Sequence, residues 1–151
     1  VGPKPDGTIP EGDLGILKDT GAWLALNGEG IYDSKVWRSS GEGPTRAAEG
    51  QFQDHKRPAY RAQDFRFTVK DNAVYAFALN FPAGGRLCIR SLGPSKNHNK
   101  PSFQGIIKEV SMLGSARKPA WRLTAKGLEI EAGPDAAPLP GFPVTFKVEL
   151  L

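Results

Sequence analysis

The chain has 151 residues, of which 39% are hydrophobic and 24% charged, with 18 Gly, 13 Pro, a single Cys and a formal net charge of +4. A chain of this size supports one main core with at most a small appendage, and the proportions are those of an ordinary globular protein. One cysteine excludes an internal disulfide and a cysteine metal site, no apolar run nears the ~20 residues of a membrane span, and the dispersed positive charge lacks the interleaved aromatics of a nucleic-acid surface.

The first stretch, "VGPKPDGTIPEGDL", reads as a strand end, a turn and a helix start. Thr8 is placed as N-cap, Pro10 sits in the first turn and Glu11 is spaced to complete a capping box. The spacing predicts a helix over 10–27, with Leu14, Leu17, Gly21 and Leu24 on one stripe, Ile16 and Trp23 widening it, and Gly28 as C-cap residue. The residues after Gly28 are strand-like, so the stripe has no obvious partner in a β domain, and its packing surface is expected upstream of Val1.

Residues 38–57, "RSSGEGPTRAAEGQFQDHKR", are polar and Gly-rich and carry neither helical nor strand periodicity. They read as a long connecting segment and the best domain boundary in the chain. Beyond them alternation dominates. Phe65, Phe67 and Val69 oppose Arg66 and Thr68; "AVYAFAL" comes after an Asp71-Asn72 turn; then come "RLCIRSL", "GIIKEVSMLG", "AWRLT", "GLEIEA" and "VTFKVELL". In the last two, Leu128 and Ile130 oppose Glu129 and Glu131, and Val144, Phe146 and Val148 oppose Thr145, Lys147 and Glu149. About seven or eight short strands with frequent turns predict an antiparallel β-sandwich.

The chain offers little chemistry of its own. Glycoside hydrolysis needs two carboxyl groups across the scissile bond, and the 16 acidic residues contain no convincing pair, since Glu129 and Glu131 alternate onto the expected solvent face. His55 and His98 lie in polar loops far apart, without metal-site spacing. No Gly-x-Ser-x-Gly elbow occurs, and Cys88 has no base beside it and reads equally as an inward or an outward thiol. "GEGPT" and "PAGGR" read as turns rather than phosphate cradles. Among residues able to stack on a sugar ring, Trp121 reads as core, Trp37 with Tyr32 as an interdomain contact, and Trp23 as part of the helix stripe. No catalytic, cofactor-binding or metal-binding residue is assigned.

The succession "VGPKPDGTIP", "GAWLALNGEGIY", "VW", "GEGPT", "DFRFT", "VYAFAL", "IRSLG", "EVSMLGS", "AWRLTAKGLEIE" and "FKVEL" resembles the C-terminal portion of an α-L-fucosidase of glycoside hydrolase family twenty-nine, over nearly the whole chain. The resemblance implies a (β/α)8-type barrel followed by a β-sandwich. The fold expected is therefore mainly β: an antiparallel β-sandwich preceded by one α-helix that is the last helix of a barrel lying outside the chain. The corresponding division is 1–37 as the end of the barrel, 38–59 as interdomain connection and 60–151 as the sandwich, with "GEGPT" as the strip tying the two domains.

The implied activity is retaining hydrolysis of terminal α-L-fucose from glycans, without cofactor or metal. The family's nucleophilic Asp, its acid/base carboxylate and its fucose-binding histidines map onto no position here, so the catalytic carboxylates are expected outside the chain, which alone is expected to be inactive. Lys4, Pro5 and Asp6 would lie near the barrel mouth. The implied partner is a fucosylated glycan held by the barrel, with no nucleic acid and no membrane span, and the implied location is exported: extracellular, periplasmic or lysosomal. The alternatives are a stand-alone carbohydrate-binding β-sandwich without catalysis and, more remotely, a basic domain that binds acidic polymers.

Overall fold

The computed structural model describes residues 2–46, 58–95 and 101–151. One helix, α1 (Glu11–Asn27), leads through a 3-10 turn at Gly28–Gly30 into eight strands: β1 (Lys35–Glu42), β2 (Phe65–Lys70), β3 (Ala73–Ala78), β4 (Arg86–Ile89), β5 (Ile107–Met112), β6 (Ala120–Thr124), β7 (Gly127–Glu131) and β8 (Val144–Leu150). A five-stranded sheet in the order β1-β2-β3-β8-β5 faces a three-stranded sheet in the order β4-β7-β6. All pairings are antiparallel. The expected sandwich preceded by one helix is the fold found.

The core arises from strand alternation. Phe65 and Phe67, Val74 and Ala76, Leu87 and Ile89, Leu128 and Ile130, and Val144, Phe146 and Val148 meet in one cluster between the sheets. Phe65, Val74, Ile89, Leu128, Phe146 and Val148 are fully buried there. Their neighbours on β4, β6 and β7 face outward, and Cys88 is among them, opposite Glu129 across the strand pair. Removing such side chains from water contributes roughly 1.5–3 kcal/mol each and is the main stabilising term.

Three local expectations differ. Thr8 does not cap the helix: Pro10 holds the N-cap position without a side-chain bond, and the Thr8 hydroxyl donates to Asp6 Oδ1 at 2.7 Å. Asp6 outcompetes the helix for Thr8 because both groups lie in the preceding turn, where Thr8 N also donates to the same oxygen at 2.9 Å. At the other end Gly28 is the C-cap residue as expected, with right-handed geometry (φ −58°), and passes directly into the 3-10 turn.

The second difference is β1, which occupies Lys35–Glu42, so residues 38–42 of the expected connecting segment are strand. Ser39, Ser40 and Gly41 carry no alternation of their own, and the strand exists because β2 supplies its partners across a register irregularity between Val36 and Gly41. Residues 47–57 and 96–100, which carry the second half of that segment and both histidines, lie outside the described residues.

The third concerns the outer face of the large sheet, which alternation fills with Arg66 and Thr68 of β2 and with Thr145, Lys147 and Glu149 of β8. There Ala73, Tyr75 and Phe77 form a second buried cluster with Trp23 and Leu113 packed on it. Thr145, paired with Phe77 in register, is wholly buried. α1 covers this face, so β3 is buried on both sides and β8 is buried at its start.

Candidate functional site

α1 is fixed to the sandwich by its last two turns only. Trp23 presents its ring to Phe77, with centroids 6.1 Å apart, and its Nε1 donates to the Pro143 carbonyl at 2.7 Å. Asn27 Nδ2 donates back to the Trp23 carbonyl at 2.9 Å and closes the helix end. Leu26 lies over Gly114, whose φ of +76° and close approach to the leucine together favour glycine.

Beyond the helix, the chain is drawn down onto the sheet. A Cβ on Gly30 would meet the rings of Tyr75 and Phe77 at about 3 Å, so glycine lets the backbone lie against them. Thr68 Oγ1 donates to the Gly30 carbonyl at 2.6 Å, and Lys70 Nζ to the Tyr32 carbonyl at 3.1 Å. Between them, Glu29 Oε1 accepts from the Tyr75 hydroxyl at 2.7 Å and from Lys147 Nζ at 2.6 Å.

Tyr75 and Lys147 are register partners on β3 and β8, so one carboxylate from the turn spans two central strands. The Lys147 ammonium, then the Tyr75 hydroxyl, hold the Glu29 carboxyl below its ordinary range. The Tyr75 phenol is pushed up to about 12, by burial first and then by the neighbouring carboxylate, and Lys147 is raised by its bond to Glu29. The arrangement is a charged clamp rather than a reactive dyad, because every member is held in its ordinary ionisation state at neutral pH.

The first half of the helix has no such partner. Leu14 and Leu17 are 39% and 42% exposed and Ile16 is 62% exposed. Gly12, Gly15 and Gly21 look into open space. An amphipathic helix normally turns its apolar stripe inward; here Leu14, Leu17 and Gly21 of the expected stripe are exposed, and only its last member Leu24 is partly buried, alongside Trp23 and Leu26. α1 thus has its C-terminal end bound and its first half free.

The "GEGPT" segment is committed to the sandwich. Glu42 accepts from the backbone N–H groups of Arg90 at 2.8 Å and Ser91 at 2.6 Å, which joins the β1 edge of one sheet to the end of β4 in the other. Thr45 donates through its N–H and hydroxyl to Asp64, at 2.9 and 2.6 Å, and Arg61 N donates to the same carboxylate at 2.6 Å. Burial pushes the Asp64 carboxyl up, but these donors more than offset it and hold it below its ordinary range. Gly43 has φ +125° and a Cβ there would collide with Asp64, which explains the glycine.

The remaining candidates fall into structural roles. Trp37 packs edge-on against Phe67 at 5.2 Å and lies beneath the Arg38 guanidinium at 4.8 Å, while Tyr32 is exposed. Trp121 is partly buried against the main core. Glu129 and Glu131 pair with Arg122 at 2.7 Å and Arg86 at 3.0 Å on the outer face of the small sheet. Burial, then the charges of Glu129 and Glu42, push the Cys88 thiol up and keep it protonated. Lys4 and Asp6 form a closed turn, Gly7 N donating to the Lys4 carbonyl at 2.8 Å. Among the described residues no group of three metal-ligating side chains occurs, and no helix is long and apolar enough to cross a membrane.

The clamp was not legible in the sequence, because Glu29 and Lys147 lie 118 residues apart and no local spacing brings them together. Its one signal was Tyr75, a hydroxyl in an otherwise apolar strand, where burial requires a partner.

Comparison with known proteins agrees with this architecture. The chain is 29% identical to plasma alpha-L-fucosidase of Homo sapiens over 134 residues, covering 87% of this chain and 23% of the relative. It is 34% identical to tissue alpha-L-fucosidase of Rattus norvegicus over 121 residues, covering 80% and 20%. The chain therefore spans only about a fifth of the length of these relatives. In fold it is similar to the crystal structure of Thermotoga maritima alpha-fucosidase, with a TM-score of 0.64 at 24% identity over 98% of this chain and 29% of that one. The family profile described as the alpha-L-fucosidase C-terminal domain matches residues 60–148, and the chain belongs to that family.

Proposed function

We propose that this chain is the C-terminal part of an exo-glycosidase that hydrolyses terminal α-L-fucose from glycans with retention, the sandwich bracing a (β/α)8 barrel. The observation that carries the reading is the divided helix: Trp23 is bound to the sandwich, while Leu14 and Leu17 remain exposed, as expected of a helix shared between two bodies. On this reading α1 and the turn before it close the barrel, and the chain from β1 (Lys35–Glu42) onward forms the brace, since β1 pairs with β2 in the large sheet. The two carboxyl groups belong to the barrel, no residue here is catalytic, and neither metal nor cofactor takes part.

In such a reaction one carboxylate attacks the anomeric carbon while a carboxylic acid protonates the departing oxygen; water, activated by the second group, then releases fucose from the first. The substrate is a fucosylated glycan held by the barrel. Kinship with a plasma enzyme supports an exported location.

The test is hydrolysis of 4-nitrophenyl α-L-fucoside by the 151-residue chain and by the intact polypeptide isolated from its source. The chain alone is expected to be inert. The intact polypeptide is expected to carry at least about 250 further residues, enough for a barrel, and to turn over. Turnover by the purified chain, abolished by replacing an acid within it, would overturn the reading.

A further inference from the structure

A groove of about 440 Å³ opens at the end of the sandwich where Trp23 is anchored. Its apolar walls include Tyr60, Phe81 and Phe142, and Asn80 and Asp135 also line it. Phe142 is exposed and immediately precedes Pro143, whose carbonyl takes the Trp23 indole N–H. The wall of the groove and the anchor of α1 are therefore adjacent residues of one segment. Asp135 holds a left-handed conformation at φ 52°, and among the described residues its carboxylate has no ion pair or hydrogen bond.

An apolar trough beside an unpaired carboxylate suits an apolar side chain flanked by a cation. It suits a pyranose less well, because a sugar ring needs several converging polar groups, and here the Asn80 amide nitrogen is already committed to the Tyr60 carbonyl at 2.6 Å. The relatives also have chain to spare, since the matched part is 23% of one and 20% of another.

We infer that this groove is a second seat for the barrel of the same polypeptide, taking an apolar side chain between Phe81 and Phe142 with a Lys or Arg set against Asp135. The inference rests on the barrel reading above and deepens it, by adding to α1 a contact that fixes the rotation of one body against the other.

The experiment compares backbone amide hydrogen exchange in the intact polypeptide and in the 151-residue chain, over residues 79–83 and 135–142. Exchange there is expected to slow by about tenfold or more in the intact polypeptide. Phe142→Asp is expected to reverse that protection while leaving the melting of the chain unchanged, because Phe142 is exposed there. Asp135→Asn, which is isosteric, is expected to reverse it in part, with an effect that shrinks at high salt.

Equal exchange in the two proteins would overturn the inference. So would slowing in the chain alone on addition of methyl α-L-fucopyranoside, which would make the groove a glycan site. Protected loops in a polypeptide inert toward 4-nitrophenyl α-L-fucoside would sink the fucosidase reading and spare the seat; activity with unprotected loops would do the reverse.

Discussion

At the scale of single residues, the covered outer face of the large sheet holds both a liability and a pH-sensitive bond. The Thr145 hydroxyl is wholly buried and has no hydrogen-bond partner among the described residues. A buried unpaired polar group costs about 1–3 kcal/mol, so Thr145→Val is expected to leave the unfolding midpoint unchanged or to raise it. A loss above about 1 kcal/mol in a denaturant titration would mean that the hydroxyl has a partner.

Glu29 behaves in the opposite sense. Its carboxyl lies below the ordinary 4.5 when folded, so its contribution is complete above that value and is lost as the pH falls through the lower folded value. Because the side chain is 46% exposed, the amount is small, about 0.5–1 kcal/mol. Glu29→Gln is expected to flatten the fall in stability as the pH drops below 4.5 relative to the parent. Tyr75 acts at the other extreme: its phenol is raised from 10.0 to about 12, so its contribution is intact below pH 10 and is lost as the pH rises toward 12. Tyr75→Phe is expected to remove that alkaline limb in a melting series against pH.

At the scale of elements, α1 divides into a part the sandwich needs and a part it does not. Deleting residues 2–18 is expected to leave the melting transition in place, since α1 is exposed over that stretch. Extending the deletion to residue 32 strips Ala73, Tyr75 and Phe77 of their cover and is expected to lower the midpoint sharply or abolish cooperative unfolding. Trp23→Ala removes one ring contact and one hydrogen bond and is expected to cost about 2–3 kcal/mol. If both deletions melt alike, the helix is not part of the core.

The same element marks where sequence stops being informative. Helical spacing and Pro10 located α1 to within a residue, and alternation located β2 to β8, because a strand with one buried face writes that burial into its own residues. The burial of Tyr75 and Thr145 could not be read that way, since the covering group Trp23 lies 120 residues from its bonding partner Pro143. β1 was hidden for a related reason, as its Ser-Ser-Gly run becomes a strand only through β2. The free stripe of α1 was visible as an orphan, whereas the clamp around Glu29 was not.

At the scale of the whole molecule, the last two turns of α1, both sheets and the cross-ties from Glu42 and Asp64 enclose one continuous structure. One main unfolding transition is expected by calorimetry, with the calorimetric and van't Hoff enthalpies equal; two resolved transitions would show that the sheets melt independently. The sheet order also sets a timetable. β8, the last of the eight described strands to be synthesised, lies between β3 and β5, and among the described residues β5 has no other neighbour in its sheet. During synthesis every earlier strand emerges before the one that joins them, so β3 and β5 must wait with open edges until β8 clears the ribosome. A chain built in this way is exposed to mispairing late in translation and depends on sequence-distant contacts to finish folding. A stop codon placed just ahead of β8 would therefore remove the middle of the sheet rather than trim its margin.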